Sequence, residues 1–153
     1  MINTNLDFCL ALQRAHASLQ LKLDEELGTY HGISFSDFVL LDLLAQTENG
    51  RVRIAELVHP LGQPQSAVLR QLIVLEKIGL VTRDGTSGDR YAVLRPVGHA
   101  LVNAAHETAS SICTEAVASI APAAVGMVSA ALVTLARMPS FPPLPNAARK
   151  PFD

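Results

Sequence analysis

Between Arg53 and Gly98 the chain changes its hydrophobic rhythm several times, and Pro or Gly marks most of the changes. A short helical run over about 53–60 places Ile54, Leu57 and Val58 on an apolar side, and Pro60 and Gly62 close it. After the turn Leu61-Gly62-Gln63, Pro64 stands at a first helical position, where its missing N–H would be unsatisfied anyway. The next helix, over about 64–78, is amphipathic. Val68, Leu72 and Leu75, with Ile73 and Ile78, face a core, while Gln65, Ser66, Arg70, Gln71 and Lys77 face out or sit at the ends. Gly79 terminates it. Two β-prone runs follow, Leu80–Arg83 and Tyr91–Leu94. The turn-rich stretch Asp84–Arg90 between them predicts a hairpin with a polar, flexible tip.

The flanks read as helices. Residues 5–28 carry Leu12, Leu19, Leu23 and Leu27 at roughly helical spacing, with Gly28 and Gly32 bracketing the end. Ser34-Phe35-Ser36-Asp37 has capping-box spacing, and the nearly all-apolar run Phe38–Leu44 predicts a buried helix stopped at Asn49-Gly50. Pro96 opens a long helix to about 120, and Pro122 another to about 137. Five prolines in 139–153 predict an extended or disordered tail. The fold class is mainly α with a small β-hairpin.

Composition narrows the possible functions. At 153 residues and 49% hydrophobic, the chain is one domain's length and too apolar for disorder. The net charge of −2 excludes a wholly basic binder. It hides an asymmetry, however: residues 51–95 carry +3 and the remainder −5. A basic segment in an acidic frame suits a local polyanion-binding surface, and chance clustering is the competing account. Two cysteines, Cys9 and Cys113, are too few and too far apart for a disulfide scaffold. The first residues lack a basic n-region, which points to the cytoplasm. Residues 116–136 hold no charge, but Pro122, Gly126 and the many alanines favour helix packing in a dimer over a membrane span. So much apolar sequence in the end helices also predicts an obligate dimer.

Taken in order, Arg53–Leu57, Gln65–Leu72, Leu75–Arg83, Asp89-Arg90 and Leu94–Gly98 form a winged helix-turn-helix. This set resembles the MarR family of transcriptional regulators, over about 5–137. The resemblance implies a homodimer whose terminal helices interdigitate and whose subunits each present one winged helix to double-stranded DNA. The organisation expected is an N-terminal dimerisation helix (1–33), a DNA-binding winged helix-turn-helix (34–98), C-terminal dimerisation helices (99–138) and the Pro-rich tail (139–153). Ser66 and Arg70 match recognition-helix positions, and Asp89-Arg90 matches the acid–arginine pair at the wing tip. The chain departs from the family in a hairpin a few residues shorter, in Arg95 where Thr is usual, and in Leu69 where Thr is common.

The chemistry fits DNA. Base edges in the major groove offer donors and acceptors, which Gln63, Gln65, Ser66, Arg70 and Gln71 can match. Arg83 and Arg90 would make phosphate or minor-groove contacts flanking the wing. The family also binds small phenolic anions between its dimer helices and winged helix, and His16, Tyr30 and Phe38 are the residues that could line such a cavity.

Cys9 lies in a run similar to the organic-hydroperoxide-sensing branch of the family, and Cys113 of a partner chain could approach it. The two tyrosines that the branch places after its cysteine are Gln13 and Leu23 here, and no cation adjoins Cys9. A buried, inert Cys9 is the plainer expectation. His99 and His106 share a helix face without a zinc spacing, so no metal or cofactor is expected, and no constellation suggests an enzyme. The expected function is a ligand-responsive repressor on a pseudo-palindromic operator. The alternatives are a peroxide sensor acting through Cys9 and a winged-helix protein-interaction module without DNA binding.

Overall fold

The computed structural model describes residues 4–137, so the Pro-rich tail predicted at 139–153 lies outside the described residues. Helix α1 (Thr4–His31) is followed by α2 (Phe35–Ala45), β1 (Arg51–Arg53), α3 (Ile54–Leu61) and α4 (Gln65–Lys77). Then come β2 (Val81–Thr86), β3 (Asp89–Leu94), α5 (Pro96–Val117) and α6 (Pro122–Ala136). Two compact units result, residues 1–118 and 119–153.

Local chemistry explains the joints of the first unit. Gly28 does not end α1 as expected; the helix runs through it to His31, and Gly32 follows. At Ser34 the capping box forms in full. The Ser34 hydroxyl accepts from the Asp37 amide at 3.0 Å, and Asp37 Oδ2 accepts from the Ser34 amide at 3.1 Å. Asp24 of α1 adds a third cap by accepting from the Phe35 amide at 2.7 Å, so α2 starts on a fixed point of α1.

Apolar side chains from α1 to α5 meet in one core. Leu23, Leu27, Leu40, Leu41, Leu44, Leu72 and Leu75 are fully buried. Each contributes about 1.5–3 kcal/mol by leaving water. Ile73 and Ile78 do not join them as expected: α4 turns them outward, and Ile78 is 55% exposed. The 3.6-residue period sends only Val68, Leu72 and Leu75 inward from this helix.

The expected hairpin is the larger part of a three-stranded antiparallel sheet ordered β1-β3-β2. Pairing continues to Thr86 opposite Asp89, leaving Ser87-Gly88 as the whole loop. The predicted flexible tip is thus mostly ordered ladder. β1 pairs Arg51 with Val93 and Arg53 with Tyr91, adding an edge strand the sequence did not announce. Gly98 lets α5 start close against this sheet: a Cβ there would strike the Leu80 carbonyl oxygen and the Leu94 side chain.

In the second unit α6 is apolar on nearly every side, and Met127, Val128 and Val133 are exposed. No single helix among the described residues is long and apolar enough to cross a membrane.

Candidate nucleic-acid interface

The turn between α3 and α4 decides how the second helix is presented. Gly62 caps α3 in the left-handed conformation (φ 60°), which L-residues with a Cβ avoid. Pro64 occupies the N-cap of α4 and supplies no side-chain cap. Backbone bonding resumes with the Ala67 and Val68 amides, which both donate to the Pro64 carbonyl. The Gln65 and Ser66 amides therefore open the helix without an internal acceptor, an arrangement that favours an anion. Gln65, Ser66 and Arg70 are exposed, and none of them is bonded to another described side chain. Gln63, in the turn itself, is half-buried.

Gln71 differs. Expected to face out, it is half-buried, and its Nε2 donates to Asp37 Oδ1 at 2.9 Å and to Ser36 Oγ at 3.3 Å. Its Oε1 is buried without a hydrogen-bond partner. Its side chain is directed to the start of α2, not outward.

On the sheet, most basic side chains are tied to acids. Arg83, expected beside the wing as a phosphate contact, donates from Nε and Nη2 to Glu76 Oε2 at 2.8 Å each, joining the wing to α4. Asp89 does not pair with Arg90. Its Oδ1 lies 2.9 Å from Arg53 Nε, and its Oδ2 accepts from the Tyr91 hydroxyl at 3.3 Å. Successive residues of a strand point to opposite faces, which separates Asp89 from Arg90. Arg51 grips Asp84 at 2.9 and 3.3 Å and stacks over the Tyr91 ring, 3.5 Å from its centroid. The Arg51 pKa is raised, first by its hydrogen bond to Asp84. That of Arg53 is raised first by its bond to the Tyr91 hydroxyl, then by the Asp89 charge. Both guanidinium groups stay charged wherever the protein is folded. Arg90 is exposed, unpaired among the described residues, and borders a groove of about 260 Å³ with Glu76, Arg83 and Asp84.

Sequence reasoning missed this Arg51–Asp84, Arg53–Asp89 and Tyr91 network. Only the alternating Arg51-Val52-Arg53 hinted at a strand, and three residues are too few to read as one.

The three proposed effector residues are not brought to one cavity. His16 borders a groove of about 300 Å³ with Gln20, Phe35, Ser36, Val39, Pro60, Leu61 and Gln63. Tyr30 borders another, of about 450 Å³ between α1 and α5, where Glu26, Glu107 and Glu115 outnumber Lys22. Phe38 is buried, its ring centroid 6.3 Å from those of Phe35 and His106. Phe35, one turn earlier on α2, is the aromatic that reaches the His16 groove. The buried setting expected for Cys9 is also not found: Cys9 and Cys113 are both free and exposed.

The sequence profile of the IclR helix-turn-helix domain matches residues 38–85, the span from α2 to β2. Solved structures extend the likeness to nearly the whole chain. A MarR-family regulator from Rhodococcus sp. RHA1 matches with a TM-score of 0.81 at 17% identity, over 90% of this chain and 97% of that one. Sco3205, a MarR-family regulator from Streptomyces coelicolor solved in complex with DNA, gives 0.79 at 21% identity, over 92% and 91%. The fold is that of MarR-family transcriptional regulators. CouR from Rhodococcus jostii RHA1, solved bound to p-coumaroyl-CoA, gives 0.78 at 18% identity, over 88% and 94%. No curated protein matches the chain by sequence. Within the MarR fold, α3 and α4 are the helix-turn-helix and β2–β3 is the wing.

Proposed function

We propose that this chain is a homodimeric, MarR-type transcriptional regulator, a repressor that reads a pseudo-palindromic operator and responds to a small aromatic effector. The observation that carries this reading is the state of α4. Its first amides have no side-chain cap, and Gln65, Ser66 and Arg70 are exposed with no side-chain bond among the described residues to break. A helix so presented can donate to phosphate at its N-terminus and to base edges along its side. Arg90 supplies a second, separate cation on the wing. The DNA bound by Sco3205 supports the same use of the fold.

A second copy supplies what the terminal helices lack. Phe8 and Leu10 on the first half of α1, and Met127, Val128 and Val133 on α6, are exposed. Apolar surface of that extent marks an interface. Two subunits would place their α4 helices in successive major grooves, with half-sites about one helical turn apart.

For the effector, the His16 groove is the better candidate of the two. Its volume suits a single aromatic ring system, and Phe35, Val39 and Leu61 offer apolar walls beside the Gln20 and Gln63 amides and the Ser36 hydroxyl. The Tyr30 groove is acidic and would repel a phenolic anion. The p-coumaroyl-CoA bound by CouR supports an aromatic ligand class.

The test is binding to the duplex flanking the protein's own gene, titrated with salt. A steep fall of log K with log salt plus sequence preference is the expected outcome. No retention on any duplex at low salt overturns the reading in favour of a protein-interaction module. Exposure of both thiols favours a second reading, oxidant sensing through Cys9. It predicts that peroxide lowers operator affinity, and an unchanged affinity rules it out.

A further inference from the structure

The His16 groove and the recognition helix share a residue. Ser36 borders the groove, and its Oγ accepts a hydrogen bond from Gln71 Nε2 of α4 at 3.3 Å. Gln71 donates its other amide proton to Asp37 Oδ1 at 2.9 Å, the carboxylate that also closes the capping box of α2. Gln71 thus ties α4 to the first turn of α2, the turn that forms one wall of the groove. The tie is not saturated, because Gln71 Oε1 is buried with no partner. A buried acceptor without a donor leaves this amide's placement only partly compensated, so a small change at its neighbours can shift it.

We propose that occupancy of the groove is transmitted to DNA binding through the Ser36–Gln71 hydrogen bond. The proposal rests on the reading of the groove as the effector site. The chemistry names the class of ligand that would use it. Ser36 spends a lone pair on Gln71 and keeps its hydroxyl proton to donate. An aromatic ligand bearing an acceptor oxygen, phenolate or carboxylate, accepts a hydrogen bond from that hydroxyl, polarises Oγ and strengthens its hold on Gln71. A ligand presenting a donor instead takes the second lone pair of Oγ and draws electron density away from the bond to Gln71. Either way the ligand acts on a side chain of α4 one residue from Arg70, without touching the DNA-facing surface. Gln71 is a positioning residue in this scheme.

Filling the groove by substitution tests the link without an identified effector. Val39→Trp fills it from α2 and Gln20→Trp from α1, with folding of each checked by far-UV circular dichroism. Operator affinity is then compared in the native and the Gln71→Met backgrounds. Methionine keeps the length and bulk of the side chain and removes both donors. Filling is expected to change affinity about fivefold or more with Gln71 native. The change is expected to fall to about twofold or less with Gln71→Met, and with Ser36→Ala as the second way of breaking the bond. An undiminished change in both broken backgrounds overturns the proposed route and leaves the groove as a regulatory site. No change from either filling variant in the native background overturns the groove reading and the route together. Absence of operator binding by the native protein refutes the regulator reading itself.

Discussion

Helix α4 and the wing sheet carry similar cations and hold them in opposite ways. On α4, Arg70 is exposed and unpaired among the described residues, as are Gln65 and Ser66 beside it. On the sheet, Arg51, Arg53 and Arg83 are bound to Asp84, Asp89 and Glu76. A paired guanidinium has its charge already met by a carboxylate, whereas an unpaired one gives up only water to take a phosphate. The three ion pairs leave Arg70, Lys77, Arg90 and Arg95 against Glu56 alone in the basic segment 51–95. The local excess of positive charge therefore belongs to α4, to the wing tip and to the start of α5. Counting charges along the chain finds the right region, and only the pairing shows which residues in it are available.

The largest effect expected from this contrast is at Arg70. Arg70→Ala should cost about 1–3 kcal/mol in binding to the preferred operator, and relax preference at the base it contacts. Competition binding against variant duplexes measures it. If Arg70→Ala binds every sequence as the native protein does, α4 does not read bases through this residue and the contrast loses its strongest side.

What the sequence made legible was local. The capping box at Ser34 spans four residues and is satisfied within itself, so its spacing alone predicts the cap. The turn at Gly62 and the burial of Val68, Leu72 and Leu75 were likewise written in short-range periodicity. The misses were long-range. Gln71 and Asp37 are 34 residues apart, and Arg51 and Asp84 are 33 apart. An exposed glutamine and a tied one look alike in a helical period. β1 carried only the faint signal of three alternating residues, because its pairing partner, β3, lies about forty positions on. The placing of the candidate effector residues is long-range in the same way. Residue type alone groups His16, Tyr30 and Phe38, and in the single chain they lie at two grooves and in the core.

Arg90 tests the contrast inside the sheet, where it is the unpaired arginine among the described residues. Arg90→Ala should weaken binding about equally for all sequences and lower the salt slope by about 1, as loss of one phosphate neutralisation requires. Operator and random duplexes titrated over the same salt range give both quantities. A loss confined to the operator would instead make Arg90 a base-specific contact.

Arg83 should give the smallest effect and a different signature. Its guanidinium is bound to Glu76 of α4, and the same carboxylate accepts from the Arg83 backbone amide at 3.2 Å, so the residue joins the wing to α4. Both side chains are about a third exposed, which keeps the pair near the modest value of surface ion pairs. Arg83→Ala should cost about 0.5–1 kcal/mol of stability, read by thermal unfolding. It should leave the salt slope of DNA binding where the native protein has it. That unchanged slope separates a brace from a phosphate contact, because either role lets affinity fall when the side chain is removed. A slope lowered by about 1, as expected for Arg90, would show that Arg83 leaves Glu76 for a phosphate on binding. The division between held and available arginines would then be a property of the free protein alone.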